Sequence, residues 1–392
     1  MFYEVQPESN QIAYKEGLKE IGSLSNLFSN STKPYLSYRV HENMFCKYFN
    51  AENIARVDCS IDAKKGRIGI GLKTWVGNTN LQKIAEFGKL KNELDKLKGI
   101  KLLRKVAYYR NERIITTMNK FNINKVLYHV VIRNEGKMEI WECELPLIEI
   151  DKIKRLKIKD GNNTLYFSDG KHTYSFNKAK TTLYMMFNDM KRIDEFSVKI
   201  EKDPFELLNR IGTQTNGDTK VASKYIEENA AYHRTLVLRL YKIEKGKPVL
   251  PEKSGLNYWN ASNQKRKRLF NEIYIPFNKK DRDRPENKGF FPSRKKTFDL
   301  EFPDGQHVSA KVCQVANKND PNSGKAIMTN PNCVLGKWLL RDVLNLKEGT
   351  LITYDILQKK GIDTVIFTKY DEEHYAIDFT DSDTYYQKYD EE

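Results

Sequence analysis

A stretch of alternating residues, 56–90, constrains the fold of this chain more than any other part of its sequence. Apolar side chains occupy every second position on both sides of Lys64-Lys65-Gly66, a lysine-rich turn closed by a glycine. Alternation with period two around a short glycine-containing turn is typical of a β-hairpin. We therefore expect two antiparallel strands that share one apolar face. That face is formed by Val57, Cys59, Ile61, Ile68, Ile70 and Leu72.

The opposite face of the predicted hairpin carries groups that can bind a metal and a phosphate. It presents Asp58 and Asp62 from the first strand, and Gly69, Gly71 and Lys73 from the second. Glycine inside a strand weakens it and often marks the close approach of a ligand or another backbone. A solvent-facing hairpin is also polar on one side, and that simpler interpretation stays open. The two glycines on the face of Lys73 favour a ligand.

The segment after the hairpin is predicted to be a helix over residues 79–98. On such a helix Gln82 and Glu86 lie one turn apart and project together. Carboxylates are the hard oxygen ligands that hold Mg²⁺, and a lysine acts as a point charge on a phosphate or its attacking water. Strand aspartates, Lys73 and a helical Glu86 can together surround a divalent cation and a scissile phosphate.

This arrangement resembles the PD-(D/E)XK nuclease core, in which an aspartate, a hairpin and an (Asp/Glu)-x-Lys motif on the next strand follow one another. The resemblance implies hydrolysis of DNA phosphodiesters with Mg²⁺ as cofactor. It implies Asp58, Asp62 and Glu86 as metal ligands, with Lys73 stabilising charge or orienting the water and Gln82 assisting.

The sequence departs from that pattern at Gly71, which stands where the family places an acid, two residues before Lys73. Some restriction enzymes of the family carry this carboxylate on the following helix, and Glu86 is where such a residue could lie. Which aspartate is the main ligand stays open. A tight turn would place Asp58 opposite Lys73, whereas the short spacing of the family favours Asp62.

The first 192 residues are predicted to form an α/β nuclease domain. Glu16 and Glu20 are one turn apart on its first helix; nucleases of this core sometimes draw an auxiliary acid from such a helix, although a solvated face is the simpler interpretation. Helices are expected at 13–21, 41–50, 92–105 and 178–190, and strands at 125–133, 138–145, 164–168 and 172–176.

A connector is predicted over residues 193–231, where hydrophobicity falls and strand signals are missing. Residues 232–392 then carry short alternating segments separated by turns such as Pro303-Asp304-Gly305, with one helix at 335–344 and an acidic tail from Asp371. Short strands with one interrupting helix predict a mainly β, closed or nearly closed barrel. The strands are expected at 235–243, 271–277, 297–302, 308–315, 351–356, 364–369 and 374–379.

The second half resembles the C-terminal domain of NgoFVII/BfiI-type restriction endonucleases, a pseudobarrel of the plant transcription-factor B-three class. The resemblance rests on five blocks in the same order, SGLNYWNASNQKRKRLFNEIYIPF, GFFPSRKKTFDLEFPDGQ, GKAIMT, LGKWLLRDVLNLKEGTLIT and HYAIDF. It implies sequence-specific binding of double-stranded DNA by two loop arms, 257–268 and 314–325, that grip the major groove.

Both arms contain the side-chain types that contact base edges and phosphates. Asparagine and glutamine make paired contacts with adenine, arginine suits guanine or phosphate, and the aromatic residues could anchor the loop. The first arm offers Asn257, Tyr258, Trp259, Asn260, Asn263, Gln264, Arg266 and Arg268. The second arm offers Gln314, Asn317, Lys318, Asn319 and Lys325. We expect about half of these polar side chains to touch only phosphate or solvent.

Charge and composition agree with a nucleic-acid partner. The formal net charge of +15 and the pI near 9.3 favour a polyanion, and the excess is spread through the chain. No apolar run is long enough to span a bilayer, and MFYEVQPESN lacks the features of a signal peptide. Five scattered cysteines without metal-site spacing indicate reduced thiols. We expect a cytoplasmic, bacterial protein.

Other nuclease chemistries are not supported by the sequence. Enzymes with this C-terminal domain often carry a phospholipase-D-type nuclease, which needs a His-x-Lys motif, and none of the six histidines is followed by that spacing. We therefore expect a type II restriction endonuclease that works beside a cognate DNA methyltransferase. A monomer that cuts one strand at a time and a homodimer that cuts both stay open. The alternative is a non-catalytic sequence-specific DNA-binding regulator with a degenerate nuclease domain.

Overall fold

The computed structural model of the chain describes residues 1–29, 31–55, 61–77, 79–156, 163–206, 234–261 and 268–389. These residues divide into two compact units. The first contains the described residues up to 111 together with 123–206, and the second contains 112–122 and those from 234 onward. Each unit has its own hydrophobic core. Across the described ranges, every helix is too short or too polar to cross a lipid bilayer.

The first unit begins with two helices that share one core. They are α1 (Glu8–Ser23) and α2 (Tyr38–Phe49). The Ser37 hydroxyl caps the start of α2 by accepting a backbone amide at 3.3 Å, and Asn50 in left-handed conformation ends the helix. Such caps satisfy the backbone groups that a helix leaves unpaired at its ends. Phe45 and Phe49 of α2 lie fully buried against Tyr14 of α1.

The elements that follow, which belong to the first unit except for residues 112–120 of α4, are mostly strands. In chain order they are β1 (Glu52–Asn53), β2 (Ala63–Lys65), β3 (Ile68–Val76), β4 (Leu81–Glu86), α3 (Lys91–Leu94), α4 (Gly99–Lys120), β5 (Lys125–Asn134), β6 (Lys137–Glu144), β7 (Lys154–Arg155), β8 (Thr164–Ser168), β9 (Thr173–Asn177), β10 (Thr182–Met186) and β11 (Lys191–Ser197). β11 continues past residue 192, the predicted end of the first domain.

The predicted hairpin is present as β2 and β3 in the described residues, whereas residues 56–60 of its predicted first strand lie outside them. Ala63 pairs with Ile70 and Lys65 with Ile68, and Gly66 supplies the positive φ of 58° at the turn. This hairpin belongs to a six-stranded sheet in the order β1-β2-β3-β5-β6-β11. β3 and β5 are parallel, and α4 lies between them in sequence, as a parallel pair requires a crossover connection. All other neighbours in this sheet are antiparallel.

A second sheet replaces two predicted helices. Its order is β4-β10-β9-β8-β7. The predicted helix over 79–98 is wrong, because residues 81–86 form β4 and only a short helical segment follows. The predicted helix over 178–190 is wrong as well, because Leu183, Met185 and Phe187 are buried with a period of two and form β10 and its end. The strands predicted at 125–133, 138–145, 164–168 and 172–176 are confirmed within one or two residues.

The second unit is built around a seven-stranded sheet that curves into a nearly closed barrel, as predicted. Its elements in chain order are β12 (Arg234–Arg239), β13 (Lys242–Glu244), β14 (Lys247–Val249), β15 (Ile275–Pro276), α5 (Lys279–Asp283), β16 (Thr297–Glu301), β17 (His307–Asn317), β18 (Asp320–Thr329), α6 (Val334–Gly336), α7 (Tyr354–Lys360), β19 (Thr364–Lys369), β20 (His374–Thr380) and α8 (Ser382–Tyr389). The barrel order is β12-β19-β20-β16-β17-β18-β15, with only β16 and β20 parallel among the described pairs.

Three expectations for this unit need correction. Of the strand predicted at 271–277, only residues 275–276 form a strand, β15. The strand predicted at 351–356 is instead the start of α7, whose first turn is capped by the Thr353 hydroxyl. The segment predicted as an acidic tail contains α8, in which Tyr385 and Tyr389 are buried. The helix predicted at 335–344 is confirmed: α6 continues into a wide helical turn over Lys337–Val343.

Candidate functional site

Asp62 is held immediately before β2 by backbone hydrogen bonds. Its amide donates to the Ile70 carbonyl at 2.8 Å, and its Oδ2 accepts the Leu72 amide at 2.7 Å. The second bond fixes the carboxylate beside β3, next to Lys73. Burial raises the pKa of Asp62, although the charge of Lys73 and the Leu72 amide act in the opposite direction. A carboxylate in this state gains from a nearby cation.

A second carboxylate, Glu42, joins Asp62 from helix α2. Burial and the charge of Asp62 raise the pKa of Glu42, whereas Arg39 and Lys73 lower it. The Arg39 Nη1 atom lies 3.0 Å from Glu42 Oε2. Glu42, Asp62 and Lys73 are therefore near enough to interact electrostatically. We call Glu42 and Asp62 the acidic pair.

Sequence reasoning missed Glu42 and considered Glu16 and Glu20 instead, which are exposed on α1. A signal for Glu42 was present. It lies three and seven residues before Phe45 and Phe49, on the core-facing stripe of a helix that was correctly predicted. A carboxylate on such a stripe needs a partner, because burying an unpaired charge is costly.

A buried chain of polar side chains ties α2 to the six-stranded sheet. The Tyr14 hydroxyl lies 2.9 Å from His41 Nε2 and 3.1 Å from His129 Nε2, and His129 Nδ1 lies 3.0 Å from Glu142 Oε1. Burial holds the pKa of His41 well below its usual range. Because His41 precedes Glu42, this chain restricts the movement of Glu42 relative to β3.

The acidic pair fits a hard divalent cation. Mg²⁺ is commonly held by one or two carboxylates, with water and substrate phosphate filling the other positions. In the described ranges, no group of three or more His, Cys, Asp or Glu side chains is arranged to hold a metal. Among the described residues, Glu42 and Asp62 are therefore the protein ligands on offer, and water and substrate could complete the coordination. Asp58, the other predicted strand ligand, lies outside the described residues.

Glu86 and Gln82 do not lie on a helix, which was the premise for choosing them. Both belong to β4, in the five-stranded sheet that does not contain Asp62 and Lys73. Exposed Glu86 lies with its Oε2 2.6 Å from Lys83 Nζ, and Gln82 donates to a nearby carbonyl at 2.8 Å. The roles proposed for Glu86 and Gln82 stay predictions without structural support, and Glu42 replaces Glu86 as the better-placed second carboxylate.

Gly69 on β3 has a packing role. A Cβ atom on Gly69 would lie 2.9 Å from Ile61 Cγ2 and 3.1 Å from Ile123 Cδ1, so the neighbouring side chains already fill that space. Gly71 is also buried and pairs with Tyr128 of β5. Gly69 thus gives no indication of a ligand, contrary to our expectation.

Asn257 in the first arm of the barrel is a structural residue, which corrects its assignment to DNA. Its side chain is fully buried. The amide nitrogen donates to the carbonyls of Pro251 at 3.1 Å and Ile352 at 2.8 Å, and the amide oxygen accepts the Ile352 amide at 2.8 Å. With these three bonds made, no donor or acceptor is aimed at a base.

Arg268 closes the base of the first arm. Its guanidinium lies 3.8 Å from the centre of the Tyr258 ring, its Nε donates to the Ala261 carbonyl at 3.0 Å, and its Nη1 lies 3.8 Å from Glu272. The predicted contact of Arg268 with DNA is therefore replaced by a structural role, since the side chain is mostly buried. Trp259 packs on Phe270 at 5.5 Å.

The other predicted residues of the first arm divide into two groups. Asn260 is exposed, with its amide donating to the Glu252 carbonyl at 3.0 Å. Asn263, Gln264 and Arg266 lie outside the described residues.

The second arm is the end of the β17–β18 hairpin. The side chains predicted to contact DNA must be exposed, and four residues of this arm are: Asn317, Lys318, Asn319 and Lys325. Gln314 has a left-handed backbone with φ of 57°. Non-glycine residues in that conformation are strained and cluster at functional sites.

A groove of about 690 Å³ lies beside the second arm. Its interior is lined by three phenylalanines, Phe277, Phe290 and Phe291. Two exposed lysines, Lys279 and Lys288, also line the groove. Sequence reasoning did not select these two lysines. Their position next to the arm makes them candidates for phosphate contacts.

Comparison with protein families supports the assignment of the second unit. Residues 225–371, just over a third of the chain, match the family model of the NgoFVII C-terminal B3-like DNA-binding domain. This match confirms the resemblance seen in the sequence for the C-terminal half. No curated protein matches the chain.

Proposed function

We propose that this protein is a type II restriction endonuclease that hydrolyses phosphodiester bonds of double-stranded DNA with Mg²⁺, at or near a sequence bound by residues 232–392. The proposal is supported by the restriction-enzyme DNA-binding domain matched at residues 225–371. The single observation that carries the catalytic part is the position of Asp62, whose Oδ2 accepts the Leu72 amide at 2.7 Å next to Lys73, with the buried Glu42 of α2 near enough for its pKa to respond to the charges of both.

The order of elements around this site also supports a divergent PD-(D/E)XK nuclease. An acid on a helix is followed by an aspartate, a hairpin and a strand lysine, although Gly71 replaces the second acid of the motif. In this proposal Glu42 supplies the carboxylate that Gly71 lacks. A cognate DNA methyltransferase in the same system would protect the host sequence.

The residues of the site have separate tasks. Bound Mg²⁺ would polarise the scissile phosphate and lower the pKa of a water molecule. Glu42 would provide oxygen ligands from α2, which the His41 chain ties to β5 and β6, and Asp62 would provide them from the segment before β2 of the same sheet. Lys73, half-buried on β3, places a positive charge where a phosphate oxygen or attacking water would lie.

The decisive experiment measures cleavage of plasmids of high sequence diversity with Mg²⁺ or with EDTA. We compare the wild type with Lys73→Ala and Glu42→Gln, and use Glu86→Gln as the matched control for removal of one carboxylate. Discrete Mg²⁺-dependent fragments that are lost in the first two variants and kept in the control would support the proposal. Loss of the fragments only in Glu86→Gln would show that Glu86 of β4, and not Glu42, is the second carboxylate of the site.

A non-catalytic DNA-binding regulator is the second candidate, and Gly71 is the observation that favours it. Such a regulator would bind DNA selectively and give no fragments under any metal condition. Selective binding without cleavage by the wild type would therefore reject the nuclease and retain the regulator.

A further inference from the structure

Positive charge is concentrated at the start of helix α4 and in the segment before it. Residues 89–105 contain seven cationic and two acidic side chains, a net charge of +5 in a chain whose total is +15. We expected the positive charge to be spread through the chain, but a third of it lies in these 17 residues. A local excess of this size repels itself unless a polyanion is bound.

The exposed face of α4 carries these charges in register. Lys101, Arg104, Lys105 and Tyr108 are spaced by three, one and three residues, so they lie on one side of the helix. Lys101, Arg104 and Tyr108 are exposed and Lys105 is partly so. We call these four residues the α4 basic face. The opposite side of the helix is buried in the protein and includes Leu102, Leu103 and Val106.

A groove of about 570 Å³ lies along this face. Leu97 and Tyr108 contribute apolar surface to it, whereas Lys96, Lys101 and Arg104 surround them with positive charge. The Lys105 amine lies 5.6 Å from the centre of the Tyr108 ring. An aromatic and apolar floor with cationic walls is the arrangement by which proteins follow a nucleic-acid backbone.

Few of these charges are neutralised within the protein. Lys105 Nζ lies 3.5 Å from Glu93 Oε1. Within the described ranges, Lys96, Lys101 and Arg104 have neither an ion pair nor a side-chain hydrogen bond. Three neighbouring cations without acidic partners are available to an anionic ligand.

We infer that the α4 basic face, with Lys96, binds the phosphate backbone of DNA independently of its sequence, as a contact surface additional to the arms of the barrel. DNA is favoured over a membrane, because the apolar side of α4 is buried in the core and cannot enter a lipid surface. DNA is also the polyanion that the second unit brings to this chain. The inference requires no catalysis, so it stands whether or not the nuclease proposal holds.

The test measures binding of the full-length protein to DNA in EDTA over a series of salt concentrations. One variant combines Lys96→Gln, Lys101→Gln and Arg104→Gln. The matched control combines Lys180→Gln, Lys199→Gln and Lys202→Gln, three exposed lysines of the same unit that likewise have no ion pair within the described ranges. Both variants lose three positive charges, and thermal unfolding shows whether each one folds.

The slope of log affinity against log salt reports the number of phosphates contacted, at about 0.9 per phosphate on duplex DNA. We expect the slope for random-sequence duplex DNA to become shallower by about 2 to 3 in the α4 variant and to change by less than about 1 in the control. A parallel titration with single-stranded DNA determines whether the face prefers one strand or two.

Two results would overturn the inference. Equal loss of slope in both variants would show that only overall charge matters. An unchanged slope in a folded α4 variant, on duplex and single-stranded DNA alike, would show that the face does not contact the backbone.

Discussion

Arg39 Nη1 lies 3.0 Å from Glu42 Oε2, so a guanidinium lies beside a carboxylate that we propose as a metal ligand. The Arg39 side chain is 60% exposed, whereas that of Glu42 is 8% exposed. Arg39 can therefore swing into solvent while Glu42 stays in position. This contact pairs the buried Glu42 carboxylate with a positive charge.

We expect Arg39→Ala to strengthen metal binding by about two- to fivefold, because a competing positive charge of modest, solvent-screened strength is removed. Titration of the DNA-free protein with Mn²⁺, followed by electron paramagnetic resonance, measures this directly. Arg39→Lys is the control, since it keeps the charge and should stay near the wild type. Weaker binding in Arg39→Ala would mean that Arg39 supports the pair rather than competing at it.

Asn257→Ala should destabilise the second unit by about 2–3 kcal/mol. The substitution removes three hydrogen bonds and leaves the buried amide and carbonyl of Ile352 unpaired. Thermal unfolding measures the effect, with exposed Asn260→Ala as the control that should change little. A variant of Asn257 that keeps full stability but loses DNA selectivity would restore its assignment to base contacts.

Gln314→Gly should raise stability by about 1 kcal/mol, because glycine adopts the left-handed φ of 57° without the strain of a side chain. The same change removes the Gln314 side chain and should weaken DNA binding if that side chain contacts DNA. Denaturant unfolding and affinity for target DNA are measured on the same preparation. A gain in stability with unchanged affinity would show that the strained conformation of Gln314 has no part in DNA binding.

Asp169→Asn should destabilise the first unit at neutral pH. Burial would raise the pKa of Asp169, but the backbone amides of His172, Lys171 and Glu149 outweigh it, so the net shift is downward. A lowered pKa in the folded state gives stability that is present above the ordinary value near 3.8 and is lost as the pH falls through the folded pKa.

Thermal unfolding of the wild type and Asp169→Asn over pH 2 to 7 tests this sign. The difference in stability should be largest near neutral pH and should shrink in acid. A difference that grows on acidification would contradict the expected direction of the shift.

Local patterns made much of the fold predictable. The β2–β3 hairpin followed from alternation around Gly66. The barrel strands had the same advantage, since period two and turn residues are properties of neighbouring positions. The five sequence blocks then located the DNA-binding domain in the second half.

The errors arose where helix and strand periods coincide. Residues four apart lie on one side of both a helix and a strand, so the pair Gln82 and Glu86 could not distinguish the two. At residues 178–190 the sequence predicted a helix, whereas the buried residues Leu183, Met185 and Phe187 have a period of two. Pairing with a distant strand decided both cases.

The site itself depended on relationships that the sequence does not contain. Glu42 comes near Asp62 only because α2 packs on β3. The sequence of neither segment indicates that the other lies beside it. Asn257 has a residue type suited to adenine, yet its partner is Ile352, 95 positions away. Residue type shows what a side chain can bind, and only the fold shows what it does bind.

The C-terminal helix α8 has a consequence for self-association. β12 is an edge strand of the barrel sheet. The unpaired backbone groups of an edge strand can hydrogen-bond to a strand of another molecule. The Tyr389 hydroxyl accepts a hydrogen bond from the Val237 amide at 3.3 Å and donates one to the Val237 carbonyl at 3.1 Å. One phenol therefore satisfies the backbone groups of Val237 that a neighbouring strand would otherwise pair with. The opposite edge, β15, is two residues long and contains Pro276. The barrel sheet is thereby protected at both margins from polymerising through strand exchange, and a chain shortened before α8 would lose that protection at one of them.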